Sequence, residues 1–468
     1  MSHQQNAFDQ FYDQLNLHHD PLEGLRTGLI GRDASIETPF GAQKLIYADY
    51  VASGRALRQV EEFVLENVLP YYANSHTEAS FCGAHTTKLR ENARRVIARL
   101  IGAHEQEHAV IFSGAGATTA LNQLVHILDV AEGTTVLVGP YEHHSNLLPW
   151  RESGAKVIEI PEGREAGPDL KALKDALITH CDTGPVVVAM SAAANVTGVC
   201  PDVTAITRLV KKYGGVIVWD YAGGAPYLEM NMNLGQNAEI DAIVFSGHKF
   251  IGGPGASGVL VLRRDAVRST VPYRPGGGTV RFVNAHQHDY VAKLEQREEG
   301  GTPNVVGDIR VALVMIVKEI IGQDRLNARN NSLSERAFAA WGDHPNIRLL
   351  ASERKTRLPI LSFVPVTSRG QRIDHNAFTR ALSERFGIQA RGGCSCAGPY
   401  VHNLLDIDNS TSTQIREDIL QGSTLTKPGF VRLNLSVLKT DETVDFILSS
   451  VSKLATDWDE LVGDKRAA

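Results

Sequence analysis

Seven short apolar runs stand out in the middle of the chain: HAVIFSG (108–114), TTVLVG (134–139), AKVIEI (155–160), PVVVAM (185–190), GGVIVWD (214–220), DAIVFS (241–246) and SGVLVLR (257–263). They do not alternate apolar with polar residues. A strand that is apolar at successive positions is buried on both faces, as in a parallel sheet covered by helices. Helical patterns lie between several of the runs. In LRENARRVIARLIGA, for example, Leu89, Ala93, Val96, Ile97 and Leu100 recur at helical spacing. The alternation predicts a wound α/β domain with a mostly parallel sheet. From about Gly307 the pattern changes. One apolar helix, IRVALVMIVKEII, is followed by strand runs LPILSFVP and FVRLNLSVL, which are interleaved with the helical HNAFTRALSERFG and ETVDFILSSVSKLATDW. That order predicts a smaller α+β domain over 307–468, after a large domain over 46–306 and an amino-terminal arm over 1–45. There is no internal repeat. One interval, DIDNSTSTQIREDILQGSTLTKPG (406–429), is too polar for a core element and is expected to form a loop.

Composition narrows the classes. A chain of 468 residues that is 43% hydrophobic and 21% charged is ordinary globular material, with length for more than one domain. A net charge of −6 without long runs of one sign argues against nucleic acid as the main partner, and no apolar stretch is long enough to span a membrane. The first residues, MSHQQNAFDQFYDQ, lack the basic and then apolar segments of a secretion signal, and a cytoplasmic protein is expected. The five cysteines, Cys82, Cys181, Cys200, Cys394 and Cys396, are odd in number and form no C-x-x-C pair, which fits a reducing compartment. Cys394 and Cys396 supply too few ligands for a metal site, and no metal is expected.

The chemistry gathers at the ends of the strand runs. VWD closes one with Asp220, and VFS closes another with Ser246, just before His248 and Lys249. FSGAGATT follows a third and leads into a helix. Open α/β sheets bind ligands at the carboxyl edge of their strands. A lysine able to form a Schiff base, a carboxylate to pair with a pyridinium nitrogen, and a helix amino terminus to hold a phosphate are the parts that a pyridoxal phosphate enzyme needs.

These residues resemble the class V aminotransferase group of pyridoxal phosphate enzymes, which have fold type I, and within it the cysteine desulfurase and selenocysteine lyase branch. The likeness covers roughly residues 45–460. It implies that SGHK carries the cofactor-anchoring Lys249, that DYA supplies Asp220 for the ring nitrogen, and that YEHHSNLLPW places His143 on the ring. It further implies that NVTG sets Asn195 beside the phenolic oxygen. The phosphate would be held by Ala117 and Thr118 of GATT, by Ser246 and His248, and, in a family-like homodimer, by Thr302 of EGGTPN from the second subunit. RGGCSCAGP resembles the desulfurase loop, which implies Cys396 as the sulfur-accepting thiol, near Arg391. VRLNLS implies Arg432 as the clamp on the substrate carboxylate, a task that suits a guanidinium.

The resemblance has departures. Gly223 stands where desulfurases carry a glutamine or histidine, Thr77 of NSHT replaces an arginine, and the C-x-C form of the loop is closer to molybdenum cofactor sulfurases. The expected reaction removes sulfur or selenium from cysteine or selenocysteine, with Lys249 as base and Cys396 as nucleophile, and delivers the sulfur to an acceptor protein or small thiol. Two other readings stand beside it. One is an aminotransferase, epimerase or carbon-sulfur lyase with no nucleophilic cysteine, and the other is a non-catalytic scaffold. Because 36 positions separate Cys396 from Arg432, the surplus over 406–429 is expected to cover the cysteine loop as a partial lid.

Overall fold

The structure is a computed structural model that describes residues 6–17, 20–75, 78–393, 395–422 and 428–463. The chain divides into two compact units. The first comprises Met1–Ile30, Ser53–Ala192 and Pro201–Gln323, and the second Gly31–Ala52, Ala193–Cys200 and Asp324–Ala468.

All seven apolar runs form strands of one sheet in the first unit: β1 (His108–Phe112), β2 (Thr135–Val138), β3 (Lys156–Glu159), β4 (Val186–Ser191), β5 (Val216–Asp220), β6 (Ala242–Ser246) and β7 (Gly258–Arg263). Their order is β1-β7-β6-β5-β4-β2-β3. Strands β3, β2, β4, β5 and β6 run parallel, while β7 is antiparallel to both β6 and β1. A mostly parallel sheet follows, with one reversed strand. Every residue of β1, β2, β4 and β6 is buried, which is why the runs are continuously apolar.

Helices cover the sheet. The long helix α1 (Phe81–Leu100) packs on α3 (Val305–Ile321), and α2 (Ala117–Ile127) lays Ala120, Leu121, Leu124 and Ile127 into a core with Val136, Val138, Val187, Val244 and Leu260. Two further helices, Leu170–Cys181 and Val203–Lys212, start where Asp169 and Asp202 accept the backbone N–H of Ala172 and Ala205. No helix among the described residues is long and apolar enough to cross a membrane.

The second unit is built on a four-stranded sheet ordered β8-β9-β11-β10, from β8 (Ile347–Leu349), β9 (Ile360–Pro365), β10 (Arg391–Gly393) and β11 (Phe430–Asn434), with neighbours antiparallel. Leu361, Phe363, Val431 and Leu433 pack with Phe378 and Leu382 of α4 (His375–Phe386) and with Val444, Ile447 and Val451 of α7 (Asp441–Thr456). Between β10 and β11 lie α5 (Gly398–Leu404) and α6 (Asn409–Leu420).

Helix α6 corrects the expected loop over Asn409–Leu420, while residues 423–427 of the 406–429 interval lie outside the described residues. The interval is polar, and α6 has no buried residue, but polarity only keeps it from the core. Asp408 caps it through the N–H of Thr411 at 2.7 Å, and Gln414 donates to Asp418 one turn on at 2.8 Å. Ser412 Oγ lies 3.1 Å from His402 Nε2, which ties α6 to α5.

Candidate active site

In the first unit the candidate residues stand at the carboxyl edge of the parallel strands. Lys249 ends the turn Gly247–Lys249 that follows β6, and this turn explains the sequence around it. A side chain at Gly247 would come within 2.8 Å of the Ser257 carbonyl and of Val311 on α3, so only glycine fits there. The N–H of Gly54 donates to the His248 carbonyl at 2.9 Å, and a Cβ on Gly54 would strike the Phe250 carbonyl oxygen. The turn is therefore clamped from two sides, with Phe250 buried beneath it and Lys249 left half-buried.

Asp220 ends β5, 3% exposed, and accepts the N–H of Ala222 at 2.7 Å. Burial raises its carboxyl above the ordinary range, against the lowering effects of that N–H and of the Lys249 charge. Burial also lowers His248, and the neighbouring Lys249 charge adds to that.

The glycine-rich stretch before α2 forms a cradle. Gly116 (φ 111°) precedes a helix start that no side chain caps, and a Cβ on Gly258 of β7 would lie 2.4 Å from Gly116 backbone atoms. Ser246 Oγ accepts the N–H of Ala117 at 2.9 Å, and a Cβ at Gly116 would lie 3.2 Å from Ser246 Oγ and 3.8 Å from the His248 ring. Ala117, Ser246 and His248 are thus brought together. Thr118 Oγ1 lies 2.7 Å from Ser145 Oγ, which in turn is 3.1 Å from His143 Nδ1. His143 Nδ1 also accepts the Ser145 N–H at 3.1 Å, an arrangement that puts the proton of the neutral ring on Nε2. Thr302 is exposed in the turn before α3, and no hydrogen bond links it to this group among the described residues.

Sequence reasoning did not single out Glu142. This carboxyl is 5% exposed and accepts the N–H and the Oγ–H of Ser191, at 2.9 and 2.7 Å, and Asn146 Nδ2 at 2.5 Å. Asn146 Oδ1 in turn accepts Trp150 Nε1–H at 3.1 Å. Ser191 pairs with Asp220 across β4 and β5. Burial pushes Glu142 up to about 7, its three donors pull it down, and Asp220 adds to the rise. Its unfolded value is near 4.5, so between about 4.5 and about 7 the unfolded chain gives up a proton that the folded chain keeps. Stability should therefore fall as pH rises through that window, by on the order of 3 kcal/mol at about 1.4 kcal/mol per pH unit. Denaturant unfolding at pH 4.5 and pH 8 checks this. Glu142→Gln should flatten the fall, and an equal slope in the variant would contradict it.

In the second unit, Asn195 lies in a tight turn where Gly198 N–H reaches the Ala194 carbonyl at 2.8 Å. Its side-chain amide donates to the Ser395 carbonyl at 2.7 Å. Cys396 is exposed. Arg432 of β11 is 3% exposed, and Arg391 stands opposite it on β10. Two facing guanidinium groups repel, and Asp49 resolves the conflict. Its carboxylate accepts Arg432 Nη2 and Arg391 Nε, both at 2.9 Å, and Arg432 Nη1 donates to the Asn195 carbonyl at 3.0 Å. Asp49 was not legible either, because it lies 383 positions from Arg432. Cys394 and Thr77 lie outside the described residues. Among those residues no cluster of three or more His, Cys, Asp or Glu side chains is arranged to hold a metal.

The first-unit residues fit pyridoxal phosphate. A desolvated carboxylate stands within reach of the Lys249 charge, and Gly116 keeps a Cβ out of the space beside Ser246 and His248 at an uncapped helix start.

Comparison with known proteins agrees. The profile of the family described as aminotransferase class-V matches residues 46–447. A probable cysteine desulfurase of Vibrio cholerae is 27% identical over 420 residues, covering 87% of this chain and 93% of that protein. One of Streptomyces coelicolor is 28% identical over 76% of this chain and 84% of its own length. The apo structure of a cysteine desulfurase from Thermococcus onnurineus superposes with a TM-score of 0.71 at 25% identity, over 88% of this chain and 94% of that one.

Proposed function

Because the chain belongs to the aminotransferase class-V family and is a pyridoxal-phosphate-dependent enzyme of fold type I, we propose that it removes sulfur from L-cysteine and leaves alanine. The observation that carries this reading is Cys396, an exposed thiol whose neighbour Ser395 is fastened by the side chain of Asn195.

When bound, pyridoxal phosphate supplies an electron sink that acidifies the α-hydrogen of an amino acid. Lys249, in the turn that follows β6, would anchor it and then move the α-proton. The Asp220 carboxylate would hold a proton on the ring nitrogen, and His143 would lie against the ring. Ala117, Thr118, Ser246 and His248 would receive the phosphate. Asn195 would donate to the phenolic oxygen. Arg432 holds the substrate carboxylate, kept in place by Asp49, with Arg391 beside it.

The Cys396 thiolate attacks the substrate sulfur. An S–S bond forms while the C–S bond breaks, its electron pair stays with carbon, and a proton at that carbon together with return of the α-proton completes alanine. The transferred sulfur is left as the outer atom of a persulfide, which a small thiol or an acceptor protein then takes up. Selenocysteine offers the same bond pattern at selenium. Thr302, exposed in its turn, is the residue by which a second copy of the chain would reach the phosphate in a homodimer.

Purified protein loaded with pyridoxal phosphate and given L-cysteine with a dithiol reductant should release alanine and sulfide in equal amounts. Pyruvate or a keto acid in place of alanine would overturn the proposal.

A further inference from the structure

Asn195 makes two connections at once. Its backbone carbonyl accepts Arg432 Nη1 at 3.0 Å, and its side-chain amide donates to the Ser395 carbonyl at 2.7 Å. The turn that holds it is rigidly seated. The next carbonyl, of Val196, accepts Ser362 Oγ at 2.5 Å, and that of Thr197 accepts Arg357 Nη1 at 3.2 Å. Gly198 (φ 75°) packs so closely that a Cβ would lie 2.4 Å from the Leu358 carbonyl oxygen.

The segment that Asn195 reaches is the opposite case. Ser395 and Cys396 both take left-handed backbone conformations, with φ of 51° and 57°. Two residues with side chains in succession there are unfavourable, and such conformations persist only when their surroundings hold them. The Ser395 hydroxyl is buried and has no hydrogen-bond partner among the described residues, so it does not offset the strain locally. The hold comes from the Asn195 amide. An amide nitrogen carries two N–H groups, so the bond to Ser395 engages one of them and leaves the other available. Asn195 Oδ1 is buried and likewise finds no partner among the described residues, so nothing else there fixes which way the amide faces.

We infer that Asn195 is a positioning residue for Cys396: its side-chain amide holds the strained Ser395–Cys396 backbone in the conformation that presents the thiol, from a turn that also accepts the substrate-clamping Arg432. The inference rests on the desulfurase reading for its functional consequence, but not for the latch itself.

Two measurements on the full-length protein test it. The first is limited digestion with proteinase K, without and with pyridoxal phosphate, with cuts mapped by mass. Asn195→Ala and the nearly isosteric Asn195→Asp, which lacks both donors, should each be nicked between residues 393 and 398 about tenfold faster than the wild type, the factor one lost hydrogen bond gives. The second compares two rates in the loaded enzyme. One is α-hydrogen exchange of L-alanine in heavy water, which needs no thiol, and the other is alanine formation from L-cysteine. In both variants alanine formation should fall at least about tenfold further than exchange. Unchanged nicking, or equal losses in the two rates, would overturn the latch. A wild type that exchanges but forms no alanine from cysteine would instead overturn the desulfurase reading, and nicking would still decide the latch.

Discussion

Replacing Lys249 with alanine is expected to lower turnover by roughly 10⁴-fold or more, since one amine serves both as covalent anchor and as base. The fold should survive. The turn is held by Gly247 against Ser257 and Val311, by Gly54 against His248 and by the buried Phe250, none of which depends on the lysine side chain. Borohydride treatment of the loaded wild type should attach the cofactor to the peptide containing Lys249, and the variant should show no attachment. Asp220 gives a second readout. Its carboxyl is raised by burial and lowered by the Lys249 charge, so losing that charge should raise it further. A variant that keeps its turnover would place the chemistry elsewhere in the chain.

Cys396→Ser should lower alanine formation from L-cysteine on the order of 10³-fold, about 4 kcal/mol of barrier, because a hydroxyl is a poor acceptor for sulfur. The visible spectrum of the bound cofactor should persist, since the residues proposed to hold it lie elsewhere in the sequence. Steady-state alanine release measures the loss, and absorbance of the loaded protein measures the retention. Near-normal alanine formation by the variant would show that a thiol other than Cys396, such as Cys394 or a free thiol in solution, accepts the sulfur, while pyruvate in place of alanine would favour a carbon-sulfur lyase in which no protein thiol takes part.

How much of this was legible depended on the range of the signal. The seven strands could be read because burial on both faces leaves a local mark, a run of Val and Ile with no polar alternation. The SGHK turn was also legible, since its glycine and lysine stand next to the strand they follow. Glu142 was not. It precedes His143 in the chain, but its meaning comes from Ser191, 49 positions away, and from burial that no local pattern reports. Asp49 escaped for the same reason, as its two arginines arrive from strands near the far end of the chain. Helix α6 is hidden by its polarity, which marks exposure rather than loop. Asp408 as a cap and Gln414 paired with Asp418 are helix signals that could have been read from the sequence. Of the departures, Gly223 sits buried three residues after Asp220.

The central claim is that sulfur passes from cysteine to Cys396. The direct measurement is a single turnover with sulfur-labelled L-cysteine and no reductant, followed by alkylation, digestion and fragmentation of the peptide that carries both Cys394 and Cys396. The account predicts labelled sulfur on Cys396, in amounts that match the alanine formed. Alanine formed without labelled sulfur on Cys396, or with the label on Cys394 alone, would contradict it.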